Sequence, residues 1–519
     1  MSTSTILGML PQFPFHLSPP SSWKISRQLY IGLFLGFTIS LSSTTLALFF
    51  QQRRTKKATS KVPPRPIELR ADEIVDGVAG LIGNTPLVRI ASLSDALGVD
   101  ILGKAEYLNP GGSPKDRVAL QIIEDAEAQG LLHPHTNSRI FEGTVGSTGI
   151  SIATIARAKG YESQIIMPDD VAIEKVLVLK ALGAIVERVR PASIVDQTQF
   201  VNLARKRALE FGKTVITSLP GVRDDLLANR REQGDDQGLG LGNQDSGKVD
   251  LVVSDQSESI DGGWKKGVGR RGFFADQFEN PSNHHAHYTT TGPEIWRQTN
   301  ASIDVFVSGA GTGGTLSGCG RFLKEVSGTI TKRMYADEGK LEEEEEEEEE
   351  KGSIVDKLKH VGSEPSRKQV KVVLADPVGS GLFNKVKYGV MYDSKESEGT
   401  KRRHQVDTVV EGIGINRITH NFELGQDLVD EAYRVTDAEA VAMSRHLVLQ
   451  DGLFLGSSSA CNLVACVRAV RDGLVPPGGR IVTILCDSGN RHYSKFWSDE
   501  YLTAHEIPIS SDISSILYG

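Results

Sequence analysis

Lys115 stands in the run Asn109-Pro-Gly-Gly-Ser-Pro-Lys-Asp-Arg117, a turn that passes at once into apolar helical periodicity. Ser113 can serve as N-cap, Pro114 suits the first helical position, and Asp116 completes a spacing like that of a capping box. The lysine therefore falls in the first turn of a helix, against the positive end of its dipole. That field disfavours the ammonium form and leaves an amine able to condense with a carbonyl. A lysine near a helix start is ordinarily a surface residue, so its company decides the reading. Glu142-Gly-Thr-Val-Gly-Ser-Thr-Gly-Ile-Ser151 and Ser308-Gly-Ala-Gly-Thr-Gly-Gly-Thr-Leu316 supply that company. Each follows a strand-like run and opens a helical one, so free backbone N–H groups and a helix dipole converge on one point. Thr144, Ser147 and Thr148 add hydroxyl donors to the first of them. The second could pass for a dinucleotide fingerprint, but no acidic ribose ligand ends a second strand about twenty residues on. One turn-borne lysine and two anion cradles suit an amino-acid substrate and a phosphorylated cofactor.

The elements that must position these groups alternate along the chain. RIFEG (Arg139–Gly143) reads as a strand and ISIATIARAKG as the helix after it; SQIIMP and AIVERV are strands flanking the helical EKVLVLKALG. The rhythm returns at DVFVSGAG, KVVLAD and IVTILCD. Strand, turn and helix in repetition predict a parallel α/β architecture from about Ala71 to the end of the chain. Two stretches, about 230–271 and 333–368, are polar or glutamate-rich and predict disordered insertions. Cys319, Cys461, Cys466 and Cys486 show no metal-ligand spacing; they read as reduced thiols, and no metal is expected.

In order along the chain, GNTPLVRI, EYLNPGGSPKDR, EGTVGSTGIS, QFENPSN with TTGPEIW, SGAGTGGTLSG, GSSSACN and CDSGNRHYSKF closely resemble the cysteine synthase and cystathionine β-synthase family. The resemblance runs from about Leu81 to Trp497 and is strongest to the fungal mitochondrial branch of that family. It implies PLP fold type II, with two open parallel-sheet α/β domains, the active site between them, and a smaller subdomain at about 108–215. It implies pyridoxal 5′-phosphate held by Lys115, which would also move the substrate α-proton. Gly311, Thr312, Gly313, Gly314 and Thr315 would bind the cofactor phosphate, and Ser458 the pyridine nitrogen. Ser147 would stand where the family's cofactor-contacting Asn stands, and Val145 where it has Ser. Thr144, Gly146 and Thr148, with Ser147 and Gln277, would hold the substrate carboxylate, and Gly412 would lie near the cofactor face. The implied reaction is β-replacement, O-acetylserine and sulfide giving cysteine and acetate, in a homodimer. Serine shortens the contact that asparagine makes, and losing one such contact could slow the reaction about a hundredfold. Condensation of serine with homocysteine, which LADPVGSG (Leu374–Gly381) favours, and a catalytically weak PLP-binding paralogue remain as alternatives.

The formal net charge of -8 is more than supplied by the run Glu342–Glu350, so charge gives no reason to expect a nucleic-acid partner. Residues 1–28 form an acid-free leader, since the first acidic residue is Glu68. Leu29–Phe50 is uncharged and mostly apolar, long enough as a helix to span about 30 Å of hydrocarbon, and predicts a transmembrane anchor. Residues 51–70 are a basic and Pro-rich linker, whose Arg53, Arg54, Lys56, Lys57 and Lys61 place the catalytic region on the cytosolic side. Anchor, basic flank and acid-free leader together resemble the signal anchors of mitochondrial outer-membrane proteins, which implies a single-pass protein of that membrane.

Overall fold

Twelve strands form in a computed structural model that describes residues 74–192, 194–211, 213–218, 250–256, 270–328, 369–392 and 408–519. In chain order they are β1 (Leu87–Arg89), β2 (Asp100–Ala105), β3 (Arg139–Gly143), β4 (Glu162–Pro168), β5 (Ile185–Val189) and β6 (Lys213–Ser218). There follow β7 (Asp250–Gln256), β8 (Arg270–Phe274), β9 (Val305–Gly309), β10 (Lys371–Pro377), β11 (Glu431–Val435) and β12 (Arg480–Leu485). They make two six-stranded sheets. The first has the order β1-β2-β12-β9-β10-β11 and the second β5-β4-β3-β8-β7-β6. The first sheet takes strands from both ends of the described chain, and the second comes whole from the middle.

The central strands are apolar on both faces because both faces are covered, as parallel strands joined by helical crossovers require. On β12, Ile481 and Leu485 enter one core cluster while Val482 and Ile484 enter another. Val373 and Ala375 of β10 alternate in the same way with Val372 and Leu374. In the second sheet Ile165 and Met167 face one cluster and Ile166 the other. A one-residue slip would exchange the two sets, so the pleat fixes the register.

Every strand read from the sequence is present. The expected parallel pairing holds through both sheets, with one correction on one side of each. β1 runs antiparallel to β2, and β7 antiparallel to both β6 and β8; such neighbours need no helical crossover, so the strand-turn-helix rhythm did not announce them. β7 lies inside the stretch 230–271 and begins with the DLVV of the apolar run there. A second correction concerns the membrane. The transmembrane element expected in the fold is not supported: among the described residues no helix is long and apolar enough to cross a bilayer. The stretch Leu29–Phe50, the leader, the linker and the glutamate run lie outside the described residues.

Candidate active site

The chemistry-bearing residues converge because their turns leave the carboxyl ends of strands, where open α/β sheets form their crevices. β2 leads through the short turn Glu106–Leu108 to the helix Lys115–Ala128. β3 leads to the helix Ser147–Lys159, and β9 to the helix Gly314–Val326. These turns line one cavity of about 220 Å³ together with Gln277, Gly412 and Ser458. Of the residues expected from sequence, Lys115, Thr144, Ser147, Thr148, Gly311, Thr312, Gly313 and Thr315 lie on its wall. Gly146 and Gly314 stand within the same turns, as N-cap and first residue of their helices, but do not reach the wall.

Lys115 is the first helical residue, with Pro114 at the cap position. The helix starts one residue later than expected, so Ser113 precedes the cap position; its Oγ accepts from the Lys115 N–H at 3.3 Å. Asp116 completes no capping box; its carboxylate accepts from the N–H of Gly111 and from the Ser151 hydroxyl, which ties the lysine helix to the helix Ser147–Lys159. Burial raises that carboxyl to about 6. The half-buried Lys115 side chain brings Nζ to 3.3 Å from Thr312 Oγ1. Burial lowers its amine from 10.5 to about 8, against a smaller opposing effect of Cys486. Two residues on, the buried Arg117 forks onto Glu106 and Glu294 with N–O distances of 2.6 to 2.8 Å. Burial alone would raise the Glu106 carboxyl, but Arg117 brings it down to about 2. That ion pair fixes the lysine helix to the end of β2.

The turn Gly311–Thr315 is shaped by missing side chains. A Cβ on Gly311 would come within 2.4 Å of Gly412 O, and one on Gly314 within 2.1 Å of Asn283 Oδ1. Gly313 has φ +87, left-handed backbone that an L side chain resists. The first helical bond here is Ser317 N–H to Gly313 O, so the N–H groups ahead of it are left for an anion. Asn283 donates to Thr312 Oγ1 at 2.8 Å and Thr419 to Thr312 O at 2.8 Å, which hold the loop from behind. Glycines without room for a Cβ, threonine hydroxyls and open N–H groups fit a cofactor phosphate.

The turn Thr144–Thr148 is built alike, with the first helical bond from Ile150 N–H to Gly146 O. Thr144 Oγ1 accepts from Gly146 N–H at 3.2 Å. The Thr148 hydroxyl donates to Gln277 Oε1, while Gln277 Nε2 donates to Glu142 Oε1 at 3.0 Å. Val145 turns inward against both apolar clusters of the second sheet, which accounts for an apolar residue in an otherwise polar loop. Ser458 is the second residue of the helix Ser457–Arg471 and lies beside Cys486.

Sequence reasoning missed a charged clasp on the opposite wall. Lys175, on the helix Ile173–Ala181, pairs with Glu411, next to Gly412. Lys495 Nζ stands 3.4 Å and His492 Nδ1 3.7 Å from the same carboxylate, and His492 Nε2 bonds Asp487 Oδ2 at 3.0 Å. Burial alone would raise the Glu411 carboxyl, yet Lys175, His492 and Lys495 hold it at about 2. No local pattern marks these partners; only the EGIG turn and the HYSK segment lay in noticed motifs. Among the described residues no group of His, Cys, Asp and Glu could hold a metal ion.

To condense with an aldehyde a lysine needs an unprotonated amine, and to hold a phosphate a turn needs open N–H groups. Here both face the same cavity, which makes this chain a Schiff-base enzyme working with a phosphorylated aldehyde. The family described as pyridoxal-phosphate dependent enzyme matches residues 78–219 and 254–487, and the chain belongs to it, within its cysteine synthase and cystathionine β-synthase group. Its cofactor is pyridoxal 5′-phosphate. Cysteine synthase 2 of Schizosaccharomyces pombe is 46% identical, covering 84% of this chain and 87% of its own. A Saccharomyces cerevisiae relative, provisionally named a mitochondrial cysteine synthase, is 41% identical over 92% of this chain and 95% of its own. Among solved structures, a hydrogen sulfide-producing enzyme of Fusobacterium nucleatum superposes with a TM-score of 0.52 at 25% identity, covering 81% of this chain and all of that one.

Proposed function

We propose that the protein is a mitochondrial cysteine synthase that displaces acetate from O-acetylserine with sulfide. One observation carries the chemistry: an amine brought down to about 8 in a cavity that also receives two helix-headed anion cradles. The names of the fungal relatives support cysteine as the product and, in one of them, the mitochondrion as the compartment. A homodimer rests on the family resemblance.

Bound pyridoxal phosphate supplies an electron-withdrawing ring that acidifies the α-carbon of an attached amino acid. The chain does the rest. The turn Gly311–Thr315 would hold the phosphate, on the same cavity wall as Lys115. The turn 144–148, with Gln277, would receive the substrate carboxylate, and Gly412 would lie near the cofactor. Lys115 Nζ takes the α-proton, the Cβ–O bond breaks, and acetate leaves with the bonding pair. Hydrosulfide then forms the Cβ–S bond, and Nζ returns a proton to Cα. A neutral hydroxyl at Ser458 would donate to the ring nitrogen without keeping it fully protonated, which would favour β-elimination over transamination.

The test is a four-way assay of the full-length, cofactor-loaded protein, pairing O-acetylserine or serine with sulfide or homocysteine. Cysteine and acetate should form at least about tenfold faster than cystathionine, a discrimination of one to two kcal/mol between acceptors. Faster cystathionine formation would transfer the assignment to the serine–homocysteine reaction. A bound cofactor without turnover of any pair would leave a binding protein. Fractionation of cells carrying the full-length chain tests the compartment.

A further inference from the structure

His287 is buried in the shell behind the phosphate cradle, fully shielded from solvent. Its Nε2 lies 3.1 Å from Thr315 Oγ1, and its Nδ1 lies 2.9 Å from Thr291 Oγ1. Thr315 lines the cavity, whereas Thr291 is buried behind the imidazole. The contact depends on a glycine: at Gly318 a Cβ would come within 2.4 Å of His284 O and 2.9 Å of His287 Cβ, so only glycine lets the helix Gly314–Val326 sit close enough. Burial, with Lys115, Arg117 and His284 nearby and Glu294 the opposing carboxylate, holds the imidazole well below its ordinary pKa of 6.5. A neutral imidazole has one N–H, and its position decides what Thr315 can do. If Nδ1 carries the proton, Nε2 must accept, and the Thr315 hydroxyl spends its only hydrogen backwards. If Nε2 carries it, Thr315 accepts from the imidazole and its own O–H turns to the cavity, while Thr291 donates to Nδ1.

We infer that His287 is a positioning residue for the cradle: as the Nε2–H tautomer, held by Thr291, it commits the Thr315 hydroxyl to donating towards an anionic phosphate. This rests on the reading of Gly311–Thr315 as the phosphate site. The chain Thr291 to His287 to Thr315 to phosphate then has every donor facing an acceptor, and no buried polar atom along it competes with the anion.

The test compares equilibrium retention of pyridoxal phosphate with that of pyridoxal, which lacks the phosphate, in the full-length apoprotein. His287→Leu should weaken retention of pyridoxal phosphate about ten- to a hundredfold, the worth of one hydrogen bond to a charged group, and leave that of pyridoxal within about twofold. His287→Gln, which can still donate near the Nε2 position, should recover most of the difference. In a Thr315→Val background His287→Leu should add nothing further, since both act through one hydroxyl. If wild-type protein does not prefer pyridoxal phosphate, the cradle assignment itself is wrong. If it does and His287→Leu keeps the preference, only the role of His287 falls. Should His287→Leu fail to fold, the nitrogen chemical shifts of histidine-labelled wild-type protein decide: protonation at Nδ1 overturns the inference and protonation at Nε2 sustains it.

Discussion

The amine of Lys115 should govern how the apoprotein captures its cofactor, and the pH dependence should reveal its environment. Burial moves it from 10.5 to about 8. At pH 7 about one amine in eleven is then neutral, against about one in three thousand for an ordinary lysine, a gain of about 300-fold in reactive form. The one opposing influence is that of Cys486. It is weak near neutrality, because burial pushes that thiol up to about 12 and leaves it uncharged there. Mixing apoprotein with pyridoxal phosphate and following the visible band over about pH 6 to about pH 10 should show the rate rising about tenfold per pH unit below 8 and levelling above it. Capture by a free alkylamine, run in parallel, corrects for titration of the cofactor. The same shift predicts a stability effect with a defined sign. Between about 8 and 10.5 the unfolded chain binds the proton that the folded chain does not, so the apoprotein gains stability as pH rises through that window. Below about 8 the cost of burying the ammonium is fully present. Lys115→Arg removes both effects along with the covalent capture. A midpoint near 10, or a Lys115→Arg protein that forms the same band, would refute the idea that this lysine is held unprotonated for condensation.

Lys175→Met leaves Glu411 buried with Lys495 as its nearest remaining cation, and should cost about 2–3 kcal/mol in urea unfolding, below the 3–5 of a pair broken outright. Because the Glu411 carboxyl is held at about 2, its contribution should be complete above its ordinary 4.5 and fade only as pH falls towards about 2; adding Glu411→Gln should recover most of the loss. Gly311→Ala forces a Cβ to 2.4 Å from Gly412 O and should weaken cofactor retention by about tenfold or more, the effect of about 1–3 kcal/mol of overpacking, with far-UV dichroism unchanged. Ser147→Asn restores the side chain that the family loop carries and should raise kcat/KM for O-acetylserine by up to about a hundredfold; an unchanged value would take Ser147 off the substrate path.

Sequence displays what short-range geometry dictates, and here that covers most of the scaffold. A buried parallel strand must be apolar on both faces, and the turn after it must bend sharply over a helix N-terminus. β3, β4, β9, β10 and β12 therefore each appeared as an apolar run against a turn, and the two cradles as their glycines. The antiparallel strands escaped for the converse reason: β1 is three residues long, and β7 pairs without a crossover. What the sequence could not display is any contact whose partners share no local period. Glu411 and Lys175 are 236 residues apart, and Lys175 sits in EKVLVLKALG, where a lysine reads as solvated helix surface. It is buried because of Gly146. That residue, at φ +137, would carry a Cβ only 2.5 Å from Lys175 Cδ, so the lysine stem crosses over the substrate loop through space that the glycine leaves open. Gly146 therefore answers to two constraints: it shapes the turn proposed to receive a carboxylate, and it opens the path by which a cation reaches the far wall. Any substitution there should disturb the loop and the clasp together, which couples the fit of the substrate to the contact that joins the two walls of the cavity.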